Sequence, residues 1–168
     1  LVHSIVQEVR QKGDQALFHY TKLLDCVDLT SDHLMVSEEE FQVAEQSADP
    51  KVVASLKKAA GNIFSYHEEQ KPSSWMTYRA HGSILGQEIL PLSRVGIYVP
   101  GGTAAYPSSV LMNAIPALVA GVEEIIMSVP TKDGVLNPYV LVAARFLGIR
   151  KIFKMGGAQA IAAMAYGT

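Results

Sequence analysis

Apolar residues recur at helical spacing through the amino-terminal part of the chain. Three runs carry this pattern: Val2, Ile5, Val6 and Val9; then Ala16, Leu17, Tyr20, Leu23 and Leu24; then Val52, Val53, Leu56, Ala60, Ile63 and Phe64. A spacing of three and four residues places each run on one face of a helix. Gly13 follows the first run and Pro72 the third, as stop signals. The pattern predicts amphipathic helices that bury one face each.

Polar residues mark where further helices begin. Ser37 and Glu40 have the spacing of a capping box, which predicts a short helix through Phe41 and Ala44. Asp49 precedes Pro50, and proline fits the first helical turn because its missing N–H is not needed there. The stretch 33–36 between these helices is predicted to be a short strand.

The pattern of predicted secondary structure changes after Trp75. Segments 75–81 and 83–89 look extended, and from Arg94 onward strands alternate with helices. The predicted strands are 95–99, 124–129 and 151–154, and the predicted helices are 107–120, 137–147 and 158–166. Such alternation indicates a parallel sheet covered by helices. The predicted class is α/β, with a helical amino-terminal region followed by a Rossmann-like, doubly wound parallel sheet.

The same pattern divides the chain into two regions. Residues 1–94 are expected to be a helical region with a few strands, part of a first domain completed downstream. Residues 95–168 are expected to be the first part of a Rossmann-like NAD-binding domain, incomplete because three strands make a thin sheet. Leu1 and Thr168 both look like cuts in a longer sequence.

Composition excludes several classes of protein. The 168 residues carry a formal net charge of −2 with scattered lysines and arginines, which gives no electrostatic footprint for nucleic acid or an anionic membrane. No apolar stretch reaches the roughly 20 residues of a membrane-spanning helix, and no secretory signal opens the chain. The single cysteine, Cys26, excludes an internal disulfide and fits a reducing cytoplasm.

Two glycine pairs follow predicted strands of the sheet. The first is in Pro100-Gly101-Gly102-Thr103 and the second in Met155-Gly156-Gly157-Ala158. Ligands of open α/β sheets bind outside the carboxyl ends of the strands, where glycines and helix amino termini can approach phosphates. We expect these corners, at neighbouring strand ends, to cradle a dinucleotide. Neither has the spacing of a P-loop or of G-x-G-x-x-G, and by pattern alone such a loop is more often a plain turn.

Tyr98 and Gln159 are the polar residues best placed in these loops. By pattern alone Tyr98 is equally a strand-end aromatic packed in the core, and Gln159 a helix-cap or surface glutamine. The five histidines lie far apart with no H-E-x-x-H pair. Cys26 has no glycine-rich elbow or histidine partner nearby, so a nucleophile is not predicted. The residues alone indicate a nucleotide-sized cleft without a visible catalytic group.

Longer motifs in the same region resemble the histidinol dehydrogenase family. They are Gln87-Glu88-Ile89-Leu90-Pro91-Leu92-Ser93-Arg94-Val95-Gly96-Ile97-Tyr98-Val99-Pro100-Gly101-Gly102, then Tyr106-Pro107-Ser108-Ser109-Val110-Leu111-Met112-Asn113-Ala114-Ile115-Pro116-Ala117, then Gly156-Gly157-Ala158-Gln159-Ala160-Ile161-Ala162-Ala163. Weaker agreement extends back through Val9-Arg10 and Gly13-Asp14. The resemblance covers nearly the whole chain and identifies it as similar to the amino-terminal portion of that family, whose fold is like that of aldehyde dehydrogenases.

The resemblance implies roles for two residues of this chain. In the family, the tyrosine of the Tyr-x-Pro-Gly-Gly motif and the glutamine of Gly-Gly-Ala-Gln contact NAD, and here these are Tyr98 and Gln159. The family's zinc ligands and its Glu-His acid–base pair are expected downstream of Thr168. The chain is therefore expected to hold no catalytic and no metal-ligating residue.

The reaction implied is a four-electron oxidation of L-histidinol to L-histidine through histidinal, with two NAD accepting hydride and zinc holding the imidazole. It is the last step of histidine biosynthesis. The resemblance implies a homodimer, the single cysteine favours a cytoplasmic location, and we expect residues 1–168 alone to be inactive. Two alternatives stay open: a non-catalytic nucleotide-binding module, and an aldehyde or acyl dehydrogenase relative whose catalytic cysteine lies further along.

Overall fold

The computed structural model describes residues 1–101, 105–131 and 134–168. Its helices are Val2–Lys12 (α1), Asp14–Asp25 (α2), Ser31–Leu34 (α3), Glu38–Ser47 (α4), Pro50–Glu68 (α5), Pro107–Ala120 (α6), Pro138–Phe146 (α7) and Gly157–Tyr166 (α8). Its strands are Trp75–Tyr78 (β1), Ile84–Gln87 (β2), Arg94–Tyr98 (β3), Glu124–Ser128 (β4) and Lys151–Phe153 (β5). The predicted α/β class is confirmed, with each predicted strand and helix after Trp75 found near its expected bounds.

Local capping explains where α4 and α5 begin. The hydroxyl of Ser37 accepts from the Glu40 N–H, and the Glu40 carboxylate accepts from the Ser37 N–H at 2.9 Å, so the predicted capping box opens α4. Asp49 accepts from the Lys51 N–H at 2.8 Å, directly before the proline that begins α5. These side chains satisfy N–H groups that the first helical turn leaves without partners.

The strand predicted over 33–36 is wrong. The chain forms the single turn α3 there, and only Met35 pairs with Phe153 in an isolated antiparallel bridge. The reason is local, because the His33 N–H donates to the Thr30 carbonyl at 3.1 Å and the Thr30 hydroxyl contacts the His33 ring at 3.0 Å. A turn closed by its own residues competes successfully with an extended conformation.

The two extended segments after Trp75 form an antiparallel hairpin. Strand β1 pairs with β2 in the register Trp75↔Gln87 to Tyr78↔Ile84. The hairpin leaves Met76 and Tyr78 exposed to solvent, together with Ile84 and Leu85 on its second strand.

The second sheet is parallel, in the order β3-β4-β5. Side chains alternate between its faces, as a strand period of two requires. Ile97, Met127 and Ile152 are buried in the core shared with α6 and α7. Gly96 faces the other side, where an added Cβ would lie 2.8 Å from Sδ of Met164 on α8. Helices therefore cover both faces of the sheet.

The amino-terminal helices complete both of these layers. Helices α1 and α2 pack on α8, with Ile5, Val9 and Leu17 buried beside Ala160 and Ala163. On the opposite face α4 packs on α7 and α5 on α6. The helical region and the sheet thus share their apolar cores. No helix in the described parts of the chain is both long and apolar enough to cross a membrane.

Ion pairs join the amino-terminal ends of the three parallel strands. Glu124 begins the central strand β4, and its carboxylate pairs with Arg94 at the start of β3 and with Lys151 at the start of β5, the latter at 2.6 Å. These two cations hold the pKa of the Glu124 carboxyl below its ordinary value, with hydrogen bonds from Lys151 and then Arg94 as the main causes. Arg94, Glu124 and Lys151 thus form a charged clamp at the amino edge of the sheet, and its two cations are largely exposed.

Candidate functional site

Three loops leave the carboxyl edge of the parallel sheet side by side. The sequence predicts that the two glycine corners follow neighbouring strands, and this is wrong, because β4 lies between β3 and β5. The corners nevertheless approach one another through Pro130, which follows β4. A Cβ on Gly156 would lie 2.5 Å from the Pro130 Cβ, and a Cβ on Gly101 would collide with the Pro130 carbonyl oxygen.

This close approach explains why glycine occupies these corners. Real Cβ atoms do not come within 3 Å of such neighbours, so a side chain at Gly101 or Gly156 would push the three loops apart. Gly102 and Thr103, which complete the first predicted corner, lie outside the described residues. Gly101 and Gly156 are therefore required by the packing of the loops as well as by the turns.

Tyr98 ends β3 and is half-buried at this edge. The Gly157 N–H, at the start of α8, donates to its phenol oxygen at 3.4 Å. Its backbone carbonyl accepts from the Asn113 side chain at 3.3 Å, which ties the end of β3 to α6. The phenol therefore spans the edge of the sheet from β3 to α8.

Gln159 lies in the first turn of α8 and is completely buried, so it is not a surface glutamine. Its Nε2 donates to Oδ2 of Asp25 at 3.3 Å. Its Oε1 has no hydrogen-bond partner among the described residues. That oxygen lies 2.6 Å from where a Cβ on Gly157 would be, and Gly157 has a φ of +62°, a conformation that favours glycine.

The structure therefore brings Tyr98 and Gln159 together at one point. Both side chains meet at Gly157. The phenol of Tyr98 accepts from the Gly157 N–H, and the carboxamide of Gln159 lies next to the space that a side chain at position 157 would fill. An unpartnered buried oxygen is costly, by about 1–3 kcal/mol. Such an atom beside a helix amino terminus is suited to accept a hydrogen bond from a ligand.

Asp25 is the residue of this site that the sequence does not predict. It is the last residue of α2, and Cys26 ends the helix in a left-handed conformation with a φ of 58°. Burial raises the pKa of the Asp25 carboxyl above its ordinary value. Its contact with Gln159 spans 134 residues of sequence, and no local motif signals a contact over that distance.

A buried lysine follows β5 but does not reach the site. Lys154 is buried, and its ammonium pairs with the Glu40 carboxylate on α4 at 2.7 Å. Its charge is therefore compensated within the helical layer. The other polar features at the carboxyl edge include Ser128, whose hydroxyl donates to the Met155 carbonyl at 2.6 Å, the buried Thr131, and the amino terminus of α8 at Gly157.

The residues at this edge suit one cofactor class and not another. Glycine corners, a helix amino terminus and an unpartnered acceptor oxygen suit the hydroxyl, amide and phosphate groups of a dinucleotide. A metal centre is different, since the described residues hold no cluster of three or more His, Cys, Asp or Glu side chains.

Cavities in the described part of the molecule lie elsewhere. One of about 420 Å³ lies between α4, α5 and α7 and is lined by Glu45, Lys57 and Arg145 among apolar residues. Another of about 250 Å³ lies against the sheet face below α8 and reaches Arg94 at the start of β3. Neither is lined by Tyr98 or Gln159, so neither belongs to the site at Gly157.

Comparison with known proteins gives a consistent result over the whole chain. The family model described as histidinol dehydrogenase matches residues 1–168. A histidinol dehydrogenase from Bacillus subtilis (strain 168) is 55% identical over 168 residues, which are 99% of this chain and 39% of that protein. One from Heliobacterium mobile is 52% identical over 167 residues, again 99% of this chain and 39% of the relative.

A solved structure agrees with the sequence comparison. The crystal structure of histidinol dehydrogenase from Elizabethkingia anophelis superimposes with a TM-score of 0.91 at 36% identity, and the match covers 99% of this chain and 38% of that one. The chain therefore spans about two fifths of the length of these relatives, with 39% of each curated protein covered.

Proposed function

The chain belongs to the histidinol dehydrogenase family, and from this we propose that it is the NAD-contacting, amino-terminal part of an enzyme that oxidises L-histidinol to L-histidine. The proposal includes the two-step course through histidinal and the use of two NAD. When bound, NAD accepts the hydrides and zinc holds and orients the substrate. The zinc ligands and the acid–base groups are proposed to lie downstream of Thr168.

The observation that carries the proposal is the meeting of Tyr98 and Gln159 at Gly157. Gln159 offers a buried acceptor oxygen that has no partner among the described residues, and Tyr98 offers a phenol that already contacts the α8 amino terminus. We assign both residues to NAD binding, where the carboxamide accepts from a donor group of the cofactor and the phenol positions it. Neither residue transfers a proton in the reaction.

The glycines of the edge contribute by excluding side chains. Gly101 and Gly156 let three loops close against Pro130, and we propose that the backbone of these loops faces the cofactor. Held in this way, the cofactor would be oriented without the cost of ordering long side chains. We further propose a cytoplasmic homodimer as the working form.

The test is an assay of the complete gene product with L-histidinol, NAD and zinc. We expect two NADH formed per histidine, and turnover abolished by removal of zinc with a chelator. We expect residues 1–168 alone to give no NADH from histidinol, because the described part contains no zinc cluster. NADH production by the 168-residue chain would contradict the proposal that the zinc ligands and acid–base groups lie downstream.

Binding without turnover would favour the alternative of a nucleotide-binding module. If the complete gene product bound NAD but never oxidised histidinol in the presence of zinc, the dehydrogenase proposal would fail. Zinc-independent oxidation of other aldehydes through a cysteine further along would instead favour an aldehyde dehydrogenase relative.

A further inference from the structure

Asp25 occupies a position that general physical chemistry disfavours for a carboxylate. It is the last residue of α2, where the helix dipole is negative and repels an anion. It is also partly buried, and this raises the pKa of its carboxyl. The helix dipole and burial both disfavour a charged carboxylate here, so we expect an interaction that compensates them. The hydrogen bond that Asp25 accepts comes from Gln159.

The chemistry of the two groups gives this contact a direction. A carboxamide has a donating and an accepting end, whereas an ionised carboxylate only accepts. With Asp25 ionised, the NH₂ of Gln159 must face α2, and Oε1 must face Gly157, as observed. Without the carboxylate the carboxamide can turn by half a rotation and present its NH₂ at Gly157 instead.

The surroundings supply no other described group that fixes this orientation. Gln159 is completely buried, and its Oε1 has no partner among the described residues. Thr21, one helical turn before Asp25, is also buried, and its hydroxyl oxygen has no partner there either. Within the described residues, the side-chain hydrogen bond that joins α2 to α8 is the one between Asp25 and Gln159.

We propose that Asp25 is a positioning residue for the cofactor site, whose carboxylate turns the Gln159 carboxamide so that Oε1 accepts from a hydroxyl or amide donor of the dinucleotide. The inference rests on the proposed function for the identity of the ligand. It extends the site from the strand ends to α2, in the amino-terminal helical region.

The first test is a double-mutant cycle on NAD affinity, measured by calorimetry on the complete gene product. Gln159→Ala and Asp25→Ala should each weaken NAD binding by about tenfold, the worth of one well-placed hydrogen bond to a charged or buried group. The double variant should be no weaker than Gln159→Ala alone, because Asp25 acts only through Gln159. Additive losses, about a hundredfold together, would overturn the inference.

Two further variants keep the test independent of folding. Asp25→Asn preserves shape but can donate as well as accept, so it should weaken binding by a few-fold without unfolding the protein. Asp28→Asn is the matched control, since Asp28 is exposed and pairs with Lys22, and it should leave NAD affinity unchanged. An affinity equal to the parent's in Asp25→Asn and Asp25→Ala would contradict the proposal.

A spectroscopic readout separates this inference from the proposed function. The side-chain NH₂ resonance of Gln159, assigned by its loss in Gln159→Ala, should move in Asp25→Asn and stay in place in Asp28→Asn. An unmoved resonance would overturn the role of Asp25. If the parent protein bound no NAD while the resonance moved as expected, the proposed cofactor would be wrong and the positioning of the carboxamide would still stand.

Discussion

The two edges of the parallel sheet are held together by different physical means. At the amino edge, Glu124 joins three strand starts through charges that are largely exposed to solvent. At the carboxyl edge, three loops meet by close packing around Pro130, where no side chain fits on Gly101 or Gly156. Charge pairs tolerate displacement and are screened, whereas close packing does not tolerate an added atom. The candidate site lies at the carboxyl edge, where the close packing leaves no room for an added side chain.

The largest effect is expected from filling the carboxyl edge. Gly156→Ala places a Cβ 2.5 Å from the Pro130 Cβ, and we expect the free energy of unfolding to fall by about 1–3 kcal/mol, as overpacking does. Denaturant titration measures it. The backbone of Gly156 suits alanine, since its φ is −130°, so strain at this residue does not contribute.

The matched control is the same substitution in open space. Gly61 lies inside α5 with nothing within 4 Å of an added Cβ. Gly61→Ala should raise stability by about 0.5–1 kcal/mol, because alanine is the better helix former. Equal responses at Gly61 and Gly156 would show that the carboxyl edge is not closely packed.

A smaller effect is expected from Tyr98→Phe. The change removes the phenol oxygen that accepts from the Gly157 N–H, and we expect NAD affinity of the complete gene product to fall about fivefold. Tyr66→Phe is the control, since Tyr66 is exposed on α5. A loss of stability without any loss of NAD affinity would place Tyr98 in the packing of the edge alone.

The smallest effect is expected at the amino edge and depends on pH. The Glu124 pKa is lowered in the folded chain, so its contribution is fully present above the ordinary value of 4.5 and is lost as pH falls through the lower, folded pKa. Glu124→Gln should therefore be less stable than the parent at neutral pH, and the difference should shrink below about pH 4.5. Denaturant titrations over this range measure it.

Asp25 should respond with the opposite sign. Its pKa is raised by burial, so its charged form costs stability at neutral pH, and that cost is relieved as pH falls through the folded pKa. In Asp25→Asn this gain in stability at low pH should be absent.

For Glu124, a difference in stability between the parent and Glu124→Gln that stayed constant with pH would contradict the clamp at the amino edge.

Much of the fold follows from signals that lie close together in sequence. The capping box at Ser37, the proline after Asp49 and the alternation of strands and helices from Arg94 onward each depend on a few neighbouring residues. For that reason they were predictable. The division into 1–94 and 95–168, and the NAD-contacting roles of Tyr98 and Gln159, stay predictions.

The remainder depends on contacts between distant residues. No pattern within the strands states that β4 separates β3 from β5, and no local signal links Asp25 to Gln159. The error over 33–36 has the opposite origin, since a local turn at Thr30 overrides a short apolar run. Spatial order and side-chain partners need the whole chain, whereas element starts do not.

The packing of α1 and α2 on α8 has a consequence for biosynthesis. Ile5, Val9 and Leu17 leave the ribosome long before Ala160 and Ala163, the residues that cover them. During translation the nascent chain therefore carries an uncovered apolar stripe until α8 emerges, which makes chaperone capture useful at this stage.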